Sequence, residues 1–332
     1  MQQRSYLTYT LVVLSLLAGL TACDPSDHPT VTPLKKVGFQ NDVIKRTLGP
    51  NVMGLDIEFA FAMALPADEG KLTSAQVEAS IGGASGTYLE HRSYYTDGSG
   101  NDIGVVVGSP SSSEGKITKV NFTADTSAAT LRYYYKIPEA ARGESVSFTF
   151  TSTSSTGEVV TYNMGPYKIA EMDMVLDLDV KDGGAQYISI EDMKVYTAAE
   201  AAQMPNKIDL VYLYRSIPNI TFNHALVSPA ADAQYRPGLT LPAGLTNSAK
   251  ISKVWGLRDF HLARLQYGIY IDDLDFEELD ISTAPNYAIN LRAEAGAWVE
   301  TADGKYRAYI YMNSVNNTAK SAKISMKRYT LK

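Results

Sequence analysis

The chain has 332 residues, with 30 Lys and Arg against 36 Asp and Glu, a formal net charge of −6, 45% hydrophobic and 20% charged residues. That composition is globular, and an acidic chain whose basic stretches never exceed two residues, as at Lys35-Lys36, argues against nucleic acid as a partner, because phosphate binding relies on clustered Lys and Arg. Its single cysteine, Cys23, cannot form an intramolecular disulfide, so stability must come from packed cores.

In chain order, the first element is a secretory signal. Arg4 supplies the positive end, the apolar run from Leu11 to Leu20 is too short to span a bilayer, and small residues precede Cys23. Leu20-Thr21-Ala22-Cys23 resembles a bacterial lipobox. The resemblance implies cleavage before Cys23, a lipid on its sulfur and a lipid bilayer as its partner. Removing residues 1–22 leaves 310 residues (332 − 22) and deletes one charge, Arg4, so the net becomes −7 (−6 − 1). Residues 23–33 are polar and Pro-rich with only Val31 as an apolar break, and read as an extended tether. Asp24 and Asp27 beside the lipid cysteine resemble the export signal of Bacteroidota surface lipoproteins. That resemblance implies a place on the outer membrane facing the cell exterior, with anchoring that faces the periplasm as the alternative.

A folded part of this length suggests two domains. The first, residues 34–170, reads as all-β. In Asp56 to Met63, Ile57, Phe59, Phe61 and Met63 recur with a period of two, the mark of a half-buried strand. Short runs follow at Gln76 to Ile81, Ile103 to Val107, Ile117 to Phe122 and Thr130 to Ile137. Ser145 to Thr151 and Val159 to Tyr162 flank the turn Ser155-Thr156-Gly157 as a hairpin. Short strands at this spacing predict an immunoglobulin-like β-sandwich, without the Cys and Trp hallmarks of antibody domains.

The second domain, residues 171–332, mixes strands with short helices. Met172 to Val180 alternates as a strand, and Asp182-Gly183-Gly184 turns the chain into Tyr187 to Ile190. Thr197 and Glu200 form a capping box on a helix that Pro205 ends. Ile208 to Tyr214 is a continuous apolar run, as in a buried strand. Leu257, Phe260, His261, Ala263, Arg264 and Leu265 have helical spacing within Gly256 to Tyr267, with Gly268 as its C-cap. Tyr287 to Leu291, Ala297 to Thr301, Lys305 to Met312 and Ala322 to Thr330 read as strands, and Asp303-Gly304 as a hairpin turn. Lys327, Arg328 and Lys332 read as solvated strand residues. The fold expected is mainly β: an N-terminal immunoglobulin-like β-sandwich followed by an α+β domain built on a β-sheet with short helices.

Tyr94 to Asp102, Leu131 to Pro138, Ile208 to Tyr212 and Ser228 to Asp232 resemble segments of uncharacterised Bacteroidota surface lipoproteins. Related lipoproteins are associated with polysaccharide-uptake systems, so the resemblance implies a glycan-binding or accessory role, with no catalytic residues attached.

Candidate sites are few. Asp97, Ser99, Asn101 and Asp102 place oxygens in a Gly-rich loop that could take Ca²⁺, although the glycines and Asn alone explain a turn. No other cofactor is expected. The acidic run Asp272, Asp273, Asp275, Glu277, Glu278 and Asp280 could supply a glycosidase pair, but the interspersed Ile271, Leu274, Phe276, Leu279 and Ile281 point to a solvated face. His28, His91, His224 and His261 lack metal spacing, and no nucleophile elbow, phosphate loop or dinucleotide fingerprint is present. His261 fits a helix residue packed beside Leu257 and Leu265. Tyr is abundant, 22 residues against 9 Phe and 2 Trp, and suits stacking on sugar rings as well as sheet packing. Trp255, Trp298, Tyr309 and Tyr311, with Tyr267 and Tyr270, are the candidates for an exposed aromatic platform.

The expectation is therefore a surface-anchored, non-enzymatic binding module for a polysaccharide or another surface protein. The alternatives are a glycoside hydrolase with a hidden carboxylate pair and an adhesin-like structural subunit.

Overall fold

The computed structural model describes residues 38–331. The signal, Cys23, the tether, His28 and Lys332 lie outside the described residues.

The chain is mainly β. Its first strands form two facing antiparallel sheets. One has the order Gln40–Lys45, Asp56–Ala64, Ala128–Lys136, Tyr88–Leu89; the other runs Val159–Lys168, Ser145–Ser154, Leu72–Ala79, Ile117–Asn121, Ser112–Glu114. The period-two pattern explains why they face each other. In Asp56–Ala64 every second residue is buried, Ile57, Phe59, Phe61 and Met63, and Ser145–Ser154 answers with Val146, Phe148 and Phe150. Phe59 meets Phe148 at 4.9 Å and Phe150 at 5.2 Å in edge-to-face contacts. Each such buried ring contributes about 1.5–3 kcal/mol of apolar transfer.

Residues after Ala170 build two further five-stranded sheets and short helices. The third sheet is Asp173–Lys181, Ser321–Thr330, Tyr306–Asn316, Ala295–Glu300, Lys250–Trp255. The fourth is Lys194–Tyr196, Tyr187–Ser189, Leu210–Ile217, Ile220–Val227, Tyr287–Leu291. Ile188, Leu210, Tyr212 and Leu226 of the fourth pack on Ile251, Val299, Ile310, Ile324 and Met326 of the third. Both sheets are also covered on their outer faces. Leu262, Ile271, Phe276 and Ile281 roof the third sheet and share that core with Val52 and Ala170, while Ala201, Ile208 and Leu245 lie over the fourth. Burial on two faces explains the continuous apolar run at Leu210 to Leu213, all four residues of which are buried.

The helices are single turns. The Thr197–Glu200 capping box starts Ala198–Ala201, with the Thr197 N–H donating to Glu200 Oε2 at 2.8 Å. The helix expected over Gly256 to Tyr267 shrinks to Phe260–Ala263. Asp259 caps its start, and Arg264 ends it in the left-handed region at φ 53°. Gly268 is not its C-cap. A Cβ there would stand 2.5 Å from the Arg258 carbonyl oxygen, so this glycine serves a close return of the chain.

Among the described residues no helix is long and apolar enough to cross a membrane.

Candidate functional site

The four aromatics singled out from sequence do not form one exposed platform. Trp255 is 51% exposed at the end of its edge strand, whereas Trp298 is 9%, Tyr309 0% and Tyr311 2% exposed. The expectation fails because it assumes a solvated outer face on the third sheet. The segment from Leu257 to Ile281 covers that face instead, and the Tyr309 hydroxyl donates to the Leu257 carbonyl beneath it. Tyr267 is exposed, with the Arg258 guanidinium 5.3 Å from its ring centre, and Lys253 Nζ lies 5.2 Å from the Trp255 ring centre.

The Asp97 loop connects the hairpin strands Arg92–Thr96 and Asp102–Val106. Asp97 Oδ1 accepts the Ser99 N–H at 2.9 Å and the Asn101 N–H at 2.8 Å, and Oδ2 accepts from Asn101 Nδ2 at 3.2 Å. These bonds hold its carboxyl below the usual carboxylate range, the Asn101 backbone amide contributing most. The geometry is that of a side-chain-closed turn. Among the described residues no group of three His, Cys, Asp or Glu is arranged to hold a metal ion. In the acidic run, Asp272 and Asp275 cap the helical turn Asp273–Glu277, Asp273 accepts the Glu171 and Met172 N–H groups at 2.7 and 3.1 Å, and Phe276 points into the core.

Two sequence candidates, His261 and Tyr270, meet at an open cleft. With Phe260 they form one wall of a cleft of about 420 Å³, whose other wall is Arg46 and Leu48 from the connection after the first strand and Asp56 and Glu58 from the second strand. Phe260 and Tyr270 lie 5.1 Å apart, and His261 meets Tyr270 at 5.0 Å. Tyr270 can lie flat along the opposite wall only because Gly49 has no side chain. A Cβ there would stand 2.3 Å from the Tyr270 ring, and Gly49 has φ +75°. Arg46 pairs with Glu58 at 3.5 Å, and Asp56 with Lys136 at 2.9 Å. Desolvation raises the Tyr270 phenol above its ordinary value, so it stays a neutral donor and acceptor. An apolar ring beside a guanidinium and carboxylates can stack on one face of a ligand and bond its hydroxyls, and the volume falls within the range of about 300–1,000 Å³ usual for small-molecule sites.

Behind His261 lies a group that the sequence reading missed. Lys327 is fully buried, contrary to the expectation of a solvated strand residue, and its Nζ donates to Asp259 Oδ2 and to the Ile271 carbonyl, both at 2.7 Å. Lys327 pairs in register with Tyr309, on the face that the Leu257–Ile281 segment covers. Asp259, also unexposed, accepts the Leu262 N–H at 2.9 Å and the Ile271 N–H at 2.7 Å. Burial pushes the Lys327 ammonium below its ordinary value. Desolvation, then the neighbouring Lys327 charge, pushes the His261 imidazole down to about 4, and its Nδ1 is buried without a hydrogen-bond partner. The alternation of Ile324 and Met326 places Lys327 on the opposite face from the inter-sheet core. That the opposite face is roofed has no local signature.

A family model described as domain of unknown function DUF4466 matches residues 36–169, and one described as domain of unknown function DUF8576 matches residues 170–331. The crystal structure of a DUF4466 family protein from Parabacteroides merdae is 46% identical to this chain, with a TM-score of 0.84, over 90% of this chain and 100% of that one. The chain belongs to the DUF4466 family. This family member also aligns at 10% identity and a TM-score of 0.27 with the C-terminal fragment of the major pilin GBS80 of Streptococcus agalactiae, over 54% of this chain and 72% of that one. A similar alignment to the major pilin subunit BcpA of Bacillus cereus has 7% identity and a TM-score of 0.27, over 87% of this chain and 65% of that one. No curated protein matches the DUF4466 chain.

Proposed function

We propose that this protein is a lipid-anchored outer-membrane protein facing the cell exterior, and that its folded part is a non-enzymatic binding module with glycan as the leading ligand class. The anchor is the acylated Cys23 of the lipobox-like Leu20-Thr21-Ala22-Cys23. The observation that carries the glycan reading is the cleft in which Phe260 and Tyr270 lie opposite Arg46 and Glu58. Sugars present an apolar ring face edged by hydroxyls, and this combination of aromatic wall and charged rim recognises both. Trp255 and Tyr267 offer further exposed ring area outside the cleft.

A place among the accessory lipoproteins of polysaccharide uptake follows as part of the same proposal. The test is a glycan array probed with residues 24–332, with reducing-sugar release followed in parallel. Binding to a polysaccharide without turnover supports the reading. Turnover that disappears with a carboxylate substitution moves the protein to the glycosidases.

A further inference from the structure

A chain with one cysteine has no disulfide to close it. Its interior nevertheless holds an amine and a carboxyl group in the arrangement that a covalent closure of another kind needs. Lys327 Nζ is 2.7 Å from Asp259 Oδ2, both side chains have no solvent exposure, and 68 positions of sequence separate them. We propose that Lys327 and Asp259 condense into an intramolecular isopeptide bond, which ties the last strand of the third sheet to the segment that roofs it.

The geometry supplies what the condensation requires. A nitrogen hydrogen-bonded to a carboxylate oxygen stands about 3–3.5 Å from the carboxyl carbon, a near-attack distance. Both partners are held there by the backbone. The Ile271 carbonyl fixes Nζ, and the Leu262 and Ile271 N–H groups fix the two carboxylate oxygens. The Leu262 N–H on Oδ1 is placed to stabilise the negative charge that develops on that oxygen when Nζ adds to Cγ.

The surroundings favour the same outcome. Leu262, Ile271, Phe276 and Tyr309 enclose the pair's side of the sheet, so bulk water is excluded from the amide once formed. Burial disfavours the ammonium form of Lys327 and so favours the nucleophilic amine.

The step balances without a co-reactant. The Nζ–Cγ bond forms and the Cγ–Oδ2 bond breaks. Two of the three ammonium protons leave with Oδ2 as water, one stays on the amide nitrogen, and nothing is oxidised or reduced. The amide N–H retains the Ile271 carbonyl as its acceptor, and Oδ1 retains the Leu262 N–H as its donor.

Intact-mass measurement under denaturing conditions tests this on the full chain, wild type beside Lys327→Arg. The expected result is a wild type lighter by one water than the substitution alone accounts for, with tandem spectra of a digest joining the peptides that contain Asp259 and Lys327. A mass difference between wild type and Lys327→Arg equal to the substitution alone overturns the proposal, since processing at Cys23 is shared by both chains. Should Lys327→Arg not fold, the wild-type digest decides alone: a linear Lys327 peptide as the only form overturns the bond, and the branched peptide establishes it.

Discussion

Trp298 and Tyr309, cross-strand partners in the third sheet, set their rings 4.7 Å apart at 49° inside the core, and Phe276 meets Trp298 edge-on at 5.4 Å. Aromatic side chains suited to ligand stacking are used here to hold a roof over a sheet. Tyr309→Ala is expected to lower stability by about 3–5 kcal/mol, since it removes a fully buried ring and strands the Leu257 carbonyl that its hydroxyl satisfies. Trp255→Ala should cost far less, about 1 kcal/mol or below, because 51% of its surface is already exposed in the folded state. Denaturant unfolding of both variants is the check. Equal effects would contradict the burial argument.

Asp209 gives a pH prediction with a definite sign. Burial raises its carboxyl from 3.8 to about 7. In the unfolded chain it ionises near pH 4, and in the folded chain near 7, so between these values the folded state holds the extra proton. Its contribution to stability is therefore complete below pH 4 and is lost as pH rises towards 7. Asp209→Asn, whose amide oxygen can still accept the Ile190 N–H now at 2.9 Å, should be more stable than wild type above pH 8 by on the order of 2–4 kcal/mol and show no gain at pH 4. Melting curves at the two pH values measure it; a gain that is independent of pH would contradict the assignment.

Gly49 is a position where a single methyl group should alter the cleft. In Gly49→Ala the added Cβ would overlap the Tyr270 ring, and a left-handed φ is strained for alanine, a cost of about 1–2 kcal/mol. The expected result is a modest loss of stability with a displaced Tyr270, seen as a change in tyrosine fluorescence or in the ring's NMR signals. An unchanged ring environment would contradict the packing described.

Cys23→Ala should release the protein from membranes, because Cys23 is the residue that the lipobox-like motif presents for acylation. Detergent partition reads this directly. Unchanged membrane association would defeat the anchor.

The sandwich was legible because its strands have one wet and one dry face, so Ile57, Phe59, Phe61 and Met63 announce their direction by alternation. The capping box at Thr197 and Glu200 was legible for a similar reason, its hydrogen bonds being local. The burial of Trp298, Tyr309, Tyr311 and Lys327 was not. It depends on Leu262, Ile271 and Phe276 arriving from a distant segment whose helical spacing suggested a longer helix than the four residues formed. The cleft is half legible: His261 and Tyr270 stand out as residue types, but their partners Arg46 and Glu58 lie more than 200 positions away, across a junction of sheets that no short pattern encodes.

The central claim is that the cleft beside Tyr270 binds glycan, and calorimetric titration of a polysaccharide selected on the array tests it most directly. Wild-type residues 24–332 should bind, and Tyr270→Ala and Arg46→Ala should each weaken binding several-fold, about 1 kcal/mol per lost contact, while remaining folded. Binding that survives both substitutions in folded protein, or the absence of any bound glycan, would contradict the account.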